Sequence, residues 1–84
     1  MVARLMWSDA ALDDLRAIRA GLSDESAARI GRLITESVDC LSEFPERGRV
    51  GIREGSRELP LPGLPWRLVY RGDREAGITI LRLL

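Results

Sequence analysis

The spacing of apolar residues changes period at Pro45, and that change limits the folds open to this chain. Before it, Ala27, Ile30, Leu33, Ile34, Val38, Leu41 and Phe44 recur at helical spacing over about twenty residues. After it, Trp66, Leu68 and Tyr70 alternate with Arg67, Val69 and Arg71, the two-residue period of a strand. Proline ends the helical pattern because it lacks an N–H and collides with the preceding turn.

The segment before the long helix repeats the pattern on a smaller scale. Val2 to Trp7 reads as a short strand, and Ser8 as an N-cap followed by Asp9 in the first turn, where the helix dipole favours negative charge. Ala11, Leu12, Leu15, Ile18 and Leu22 form the apolar stripe of a helix of about three turns, with Gly21 in its C-terminal cap region. Ser23-Asp24 caps the second helix. The short link between the two predicts a helical hairpin whose stripes face a common layer. Gly31, in mid-helix, costs roughly 1 kcal/mol relative to alanine and is explained by a close helix–helix contact.

Glu46 to Ser56, with three glycines among charges, reads as a loop. Arg57 to Leu61 is a strand confined by Pro60 and Pro62, and Pro62-Gly63-Leu64-Pro65 is a turn. Trp66 to Arg71 is the clearest strand, Gly72 to Gly77 a hairpin loop, and Ile78 to Leu84 the last strand. In that strand Ile78, Ile80 and Arg82 alternate with Thr79, Leu81 and Leu83. The order β-α-α-β-β-β predicts an α+β fold, a helical hairpin packed on a small, mainly antiparallel sheet, forming a single domain over residues 1–84.

Eighty-four residues leave no room for a second core, and a chain this short buries roughly 60–65% of its unfolded surface. Thirteen arginines balance thirteen acidic residues. A non-specific nucleic-acid binder usually carries a basic excess, so direct nucleic-acid binding is not expected. There is no lysine, which GC-rich coding accounts for, although the planar guanidinium also suits carboxylate or phosphate recognition. With no histidine, the side chain most used for proton transfer near neutral pH is missing.

Cys40 stands alone in the helical stripe and reads as a small buried hydrophobe. No apolar run approaches the ~20 residues of a membrane span, and no signal peptide is evident, so the cytoplasm is the expected compartment. Without histidine and with one cysteine, no metal constellation assembles, and no cofactor is expected. The glycines lack phosphate-loop spacing, and no serine has a base to activate it.

What remains is a set of arginines with one tyrosine: Arg49, Arg57, Arg67, Arg71, Arg82 and Tyr70. They are candidates for binding the carboxylates of a partner protein's surface, or for clamping a phosphate. The competing structural reading pairs them with Glu46, Glu54, Glu58 or Asp73 on exposed strands. Trp7 and Trp66 read as core. Leu81, Leu83 and Leu84 make an apolar end that is either buried or covered by another chain.

Several stretches together resemble the RelE/ParE superfamily of bacterial toxins from type II toxin–antitoxin pairs. They are Trp7-Ser8-x-x-Ala11, Leu41-x-x-Phe44-Pro45-x-x-Gly48-Arg49, Arg57-Glu58-Leu59, Trp66 to Arg71, and Ile80-Leu81-Arg82. The resemblance runs from Leu5 to Leu84 and leans to the ParE branch. It implies a toxin that inhibits DNA gyrase by binding and is neutralised by a ParD-like antitoxin whose C-terminal segment wraps it in a hetero-oligomer. The RelE branch instead cleaves messenger RNA in the ribosomal A site without a metal. Here the RelE-type arginines correspond to Arg57 and Arg82, while the tyrosine or histidine that usually follows the final strand is missing.

Zero net charge and the lack of acid and base groups favour the ParE reading, in which the protein is not an enzyme. The alternatives are a ribosome-dependent mRNA endoribonuclease using Arg57, Arg67 and Arg82, or a non-toxic remnant that only binds antitoxin. Related toxins usually continue with a short polar segment. An end at Leu84 implies that antitoxin binding, seated on the hairpin and sheet, is kept, and that target poisoning is the activity at risk.

Overall fold

The computed structural model describes residues 3–84. In chain order the elements are β1 (Leu5–Trp7), α1 (Asp9–Ala20), α2 (Asp24–Glu43), β2 (Arg49–Val50), β3 (Ser56–Pro60), β4 (Arg67–Asp73) and β5 (Gly77–Leu83). The strands form one sheet in the order β1-β5-β4-β3-β2. All neighbours are antiparallel except β1 and β5, which run parallel. The expected α+β architecture is thus present, with a fifth strand added. Val2, the expected start of β1, lies outside the described residues.

Both helices begin as their sequences dictate. Ser8 Oγ accepts the Ala11 N–H and Ser23 Oγ accepts the Ser26 N–H, satisfying donors that the first helical turn leaves free. Gly21 caps α1, and Phe44 caps α2 just before Pro45.

The core lies between the helices and one sheet face. Leu68, Tyr70, Ile78, Ile80 and Leu83 from the strands meet Ala11, Ile30, Ile34, Val38 and Leu41 from the helices. Burying each large aliphatic side chain contributes roughly 1.5–3 kcal/mol. Trp7 and Trp66 pack half-buried against this cluster, in agreement with their reading as core.

Several expectations are corrected. Leu33 and Phe44, assigned to the buried stripe of α2, are 38% and 55% exposed. Leu33 sits at the flank of the stripe, between the buried Ile30 and Ile34, and Phe44 is the C-cap beyond the last helical turn, so only Ala27, Ile30, Ile34, Val38 and Leu41 of α2 are buried. No heavy atom lies within 4 Å of where a Gly31 Cβ would stand, so no helix–helix contact explains this glycine. It opens instead onto a groove of about 430 Å³ beside Trp7, Leu15 and Ala27. Cys40 is half-buried and accepts a hydrogen bond from Arg47 Nη1 at 3.3 Å.

The last strand departs from strict alternation. Val69 pairs with Arg82 but Tyr70 pairs with Ile80, which leaves Leu81 as an extra residue in β5. Strict alternation would put Arg82 on the face of Ile78 and Ile80. The bulge moves Leu83 into the core instead and turns Arg82 outward. The hairpin before β5 is also tighter than expected. The strands continue through Asp73 and Gly77, made feasible by Gly72 at φ +117°, where any Cβ would run into the Gly77 carbonyl.

Candidate functional site

The sheet face away from the helices is uncovered. Register places Glu58, Val69 and Arg82 across three adjacent strands on this face, with Arg49 opposite Glu58 on β2. It forms an open concavity of about 540 Å³. Val69, Leu81, Ile52 and Leu84 give it an apolar floor. Arg53, Arg67, Arg71 and Arg82 ring that floor, and Glu58 is the acidic residue among the lining side chains.

Of the candidate residues from the sequence, Arg49, Arg67 and Arg82 share this face, and Arg71 lies with them. Arg67 Nε donates to Glu58 Oε1 at 2.7 Å, so one of the expected ion partners is correct. Arg82 has a partner that local sequence could not suggest. Its Nε and Nη2 reach the two oxygens of Asp14 in α1 at 2.7 and 2.9 Å. That fork-to-fork bond holds the Asp14 carboxyl below its ordinary pKa and raises that of Arg82.

Tyr70 and Arg57 lie on the opposite side. Tyr70 is fully buried, so the structure corrects its place among surface contact residues. Its hydroxyl donates to the Pro45 carbonyl and accepts the Gly48 N–H, both at 2.8 Å. Burial pushes its pKa up, against the opposing pull of the Gly48 N–H and the nearby Arg57. Arg57 pairs in register with Tyr70, and its Nη1 donates to the Gly48 carbonyl at 2.8 Å and the Glu46 carbonyl at 3.4 Å. Together they fix the backbone that leads from α2 into β2. Gly48 is required there, since a Cβ would stand 2.5 Å from the tyrosine oxygen.

Zero net charge conceals a separation. The two helices hold eight acidic residues against four arginines, while the remainder holds nine arginines against five acidic residues. The sheet side therefore carries a local basic field despite the overall balance, and the inference from net charge alone is weakened. Sequence reading missed Ile52 and Arg53 as parts of this face; their only signal was an apolar–basic pair in a glycine-rich loop. Of the apolar end, Leu81 and Leu84 line the face, whereas Leu83 is buried. Among the described residues, no group of three or more side chains is placed to hold a metal ion, and no helix is long and apolar enough to cross a membrane.

Comparison with known proteins fits this arrangement. Residues 5–84 match the family model described as ParE toxin of type II toxin–antitoxin system, parDE. The toxin candidate Y4kP of Sinorhizobium fredii is 36% identical over 78 residues, 89% of this chain and 81% of that protein. A chain of the chromosomal ParDE system from P. aeruginosa superposes with a TM-score of 0.84 at 28% identity, covering 98% of this chain and 94% of that one. A chain of the RelBE2 toxin–antitoxin complex from Mycobacterium tuberculosis superposes less closely, with a TM-score of 0.65 at 25% identity over 99% of this chain and 96% of that one. With the match running from β1 through the last residue, this chain belongs to the ParE family of type II toxins.

Proposed function

We propose that this toxin inhibits DNA gyrase by binding it, without cutting a substrate, and that a ParD-like antitoxin neutralises it by covering the open sheet face. The observation that carries the first half is that the arginines a RelE-type nuclease would use do not converge. Arg57 faces the helix side and holds backbone carbonyls, whereas Arg67 and Arg82 face the open side, each held by a carboxylate. Tyr70, the only tyrosine, is sealed in the core. Glu58, the acidic side chain lining the open face, is engaged by Arg67, and the sequence supplies no histidine to act as a base there.

The second half rests on the composition of that face. An apolar floor ringed by arginines suits an amphipathic segment with acidic residues along its edges, which would meet Arg67 and Arg82. Such a partner adds stability by mass action to a small domain. The ParDE and RelBE2 systems among the structural relatives support the existence of that partner.

Gyrase supercoiling and DNA-cleavage assays with the antitoxin-free chain test the reading, beside an in vitro translation reaction. Inhibited supercoiling with unaffected translation supports it. Arrested translation with mRNA cleavage, and gyrase untouched, supports a ribosome-dependent nuclease. That second reading is favoured by one observation, the basic bias of the sheet side.

A further inference from the structure

The sheet ends at β2, and nothing among the described residues pairs with its outer edge. Gly51 N–H bonds to the Ser56 carbonyl at 2.8 Å, which sets the phase of the β2–β3 ladder. In that phase Val50, opposite Arg57, turns its own N–H and carbonyl away from β3. Val50 is 79% exposed and Ile52 is 93% exposed, the highest values among the exposed large hydrophobic residues.

This edge is also rigid from beneath. Tyr70 and Arg57 hold the backbone at Pro45, Glu46 and Gly48, and Gly51 packs so closely on Ser56 that a Cβ would stand 2.5 Å from its hydroxyl. A strand arriving there meets a template already in its bound shape, which spares the cost of ordering it.

Charge selects the strand. Arg47, Arg49 and Arg53 flank Val50 and Ile52, and none of the three forms an ion pair among the described residues. A second copy of this chain pairing antiparallel at this edge would set arginine against arginine, which is destabilising. The same charges attract an acidic strand. A purely protective edge would carry polar residues between its charges, not valine and isoleucine.

We propose that the outer edge of β2 receives an extended acidic segment of a partner protein, which joins the sheet as a further strand beyond Val50. Backbone hydrogen bonds to Val50 supply register. Alternate apolar side chains cover Val50 and Ile52, and the intervening carboxylates face Arg47, Arg49 and Arg53. The site borders the open sheet face assigned to the antitoxin, sharing Arg49, Ile52 and Arg53 with it, but it rests on the free backbone edge at Val50, and the inference does not depend on gyrase being the target.

The test is a titration of the isotope-labelled toxin with a short synthetic peptide of alternating glutamate and valine, read by backbone amide shifts and hydrogen exchange. The expected result is saturable shifts at Val50 and Ile52, slowed exchange of the Val50 amide, and no such change with a lysine–valine peptide. The double variant Arg49→Glu/Arg53→Glu, verified as folded by circular dichroism, should bind at least about tenfold more weakly, while Arg29→Glu on exposed α2 binds as the parent does. Shifts confined to Arg67, Arg71 and Arg82, equal binding of both peptides, self-association at the edge without peptide protection, or no saturable shift would each overturn the proposal. None of these outcomes bears on the gyrase assay, so the two readings fail separately.

Discussion

Asp14 and Arg82, 68 residues apart, form a two-pronged ion pair, and the same Asp14 carboxylate accepts the Leu83 N–H at 2.9 Å. The arrangement solves a problem created by the shortness of β1. That strand pairs with β5 only from Ile78 to Ile80, leaving the rest of the β5 edge without a neighbour. The start of α1 takes over. Ser8 N–H donates to the Ile80 carbonyl, Ser8 Oγ donates to the Leu81 carbonyl, and Asp14 receives Leu83. Side chains of a helix thus complete a ladder that a strand began.

Replacing Asp14 with alanine should destabilise the fold by about 1–2 kcal/mol, the usual cost of leaving a backbone N–H such as that of Leu83 without its partner. Urea denaturation checks this, and faster exchange of the Leu83 amide would localise the effect. An unchanged midpoint would show that water replaces the carboxylate at no cost.

Acid sensitivity should follow from the same carboxylate. Its folded pKa is lowered from 3.8, chiefly by the hydrogen bond to Arg82, so the unfolded chain takes up its proton first. The stabilisation is fully present above the unfolded value near 3.8 and is lost as pH falls through the lower folded value. Asp14→Asn should flatten the stability profile in that acid range and leave the slope near neutrality as it is. A parallel profile for the two proteins below pH 4 would contradict this assignment.

Tyr70→Phe should cost about 2–3 kcal/mol, because it leaves the buried Gly48 N–H and Pro45 carbonyl unpaired while changing little in volume. In the parent, burial keeps the phenol protonated beyond its ordinary 10.0. The stability this gives is present below that value and declines as pH rises toward the raised folded value. Tyrosinate absorbance of the folded protein should therefore develop only above the ordinary phenol value of 10.0, and absorbance that develops at or below that value while the fold is intact would refute it.

Arg67→Glu should weaken antitoxin binding by one to two orders of magnitude, roughly 1.4–2.8 kcal/mol, by placing a second carboxylate beside Glu58 on the open face. Calorimetry with the purified antitoxin measures this directly. Affinity unchanged within error would move the docking site elsewhere.

Helix and strand identities were readable because each rests on local chemistry: Ser8 and Ser23 as caps, Pro45 as a stop, alternation from Trp66 to Arg71. What escaped depends on distant parts of the chain. β2 is two residues long beside glycines, and only pairing with β3 makes it a strand. The Leu81 bulge shows itself only against β4, and without it Arg82 reads as pointing inward. The site was legible to the same extent. Arg49, Arg67 and Arg82 were placed on a surface, but the alternation that flagged Tyr70 could not say that its hydroxyl was already engaged inside.

The position of β5 sets the order in which the sheet can close. This strand follows the other four in the sequence, yet it lies between β1 and β4 and supplies Ile78, Ile80 and Leu83 to the core. The first strand has nothing to pair with until β5 is in place, so the sheet closes through contacts between opposite ends of the sequence. The arginine-lined face, to which β5 contributes Leu81 and Arg82, is therefore completed only by a contact between segments far apart in the sequence.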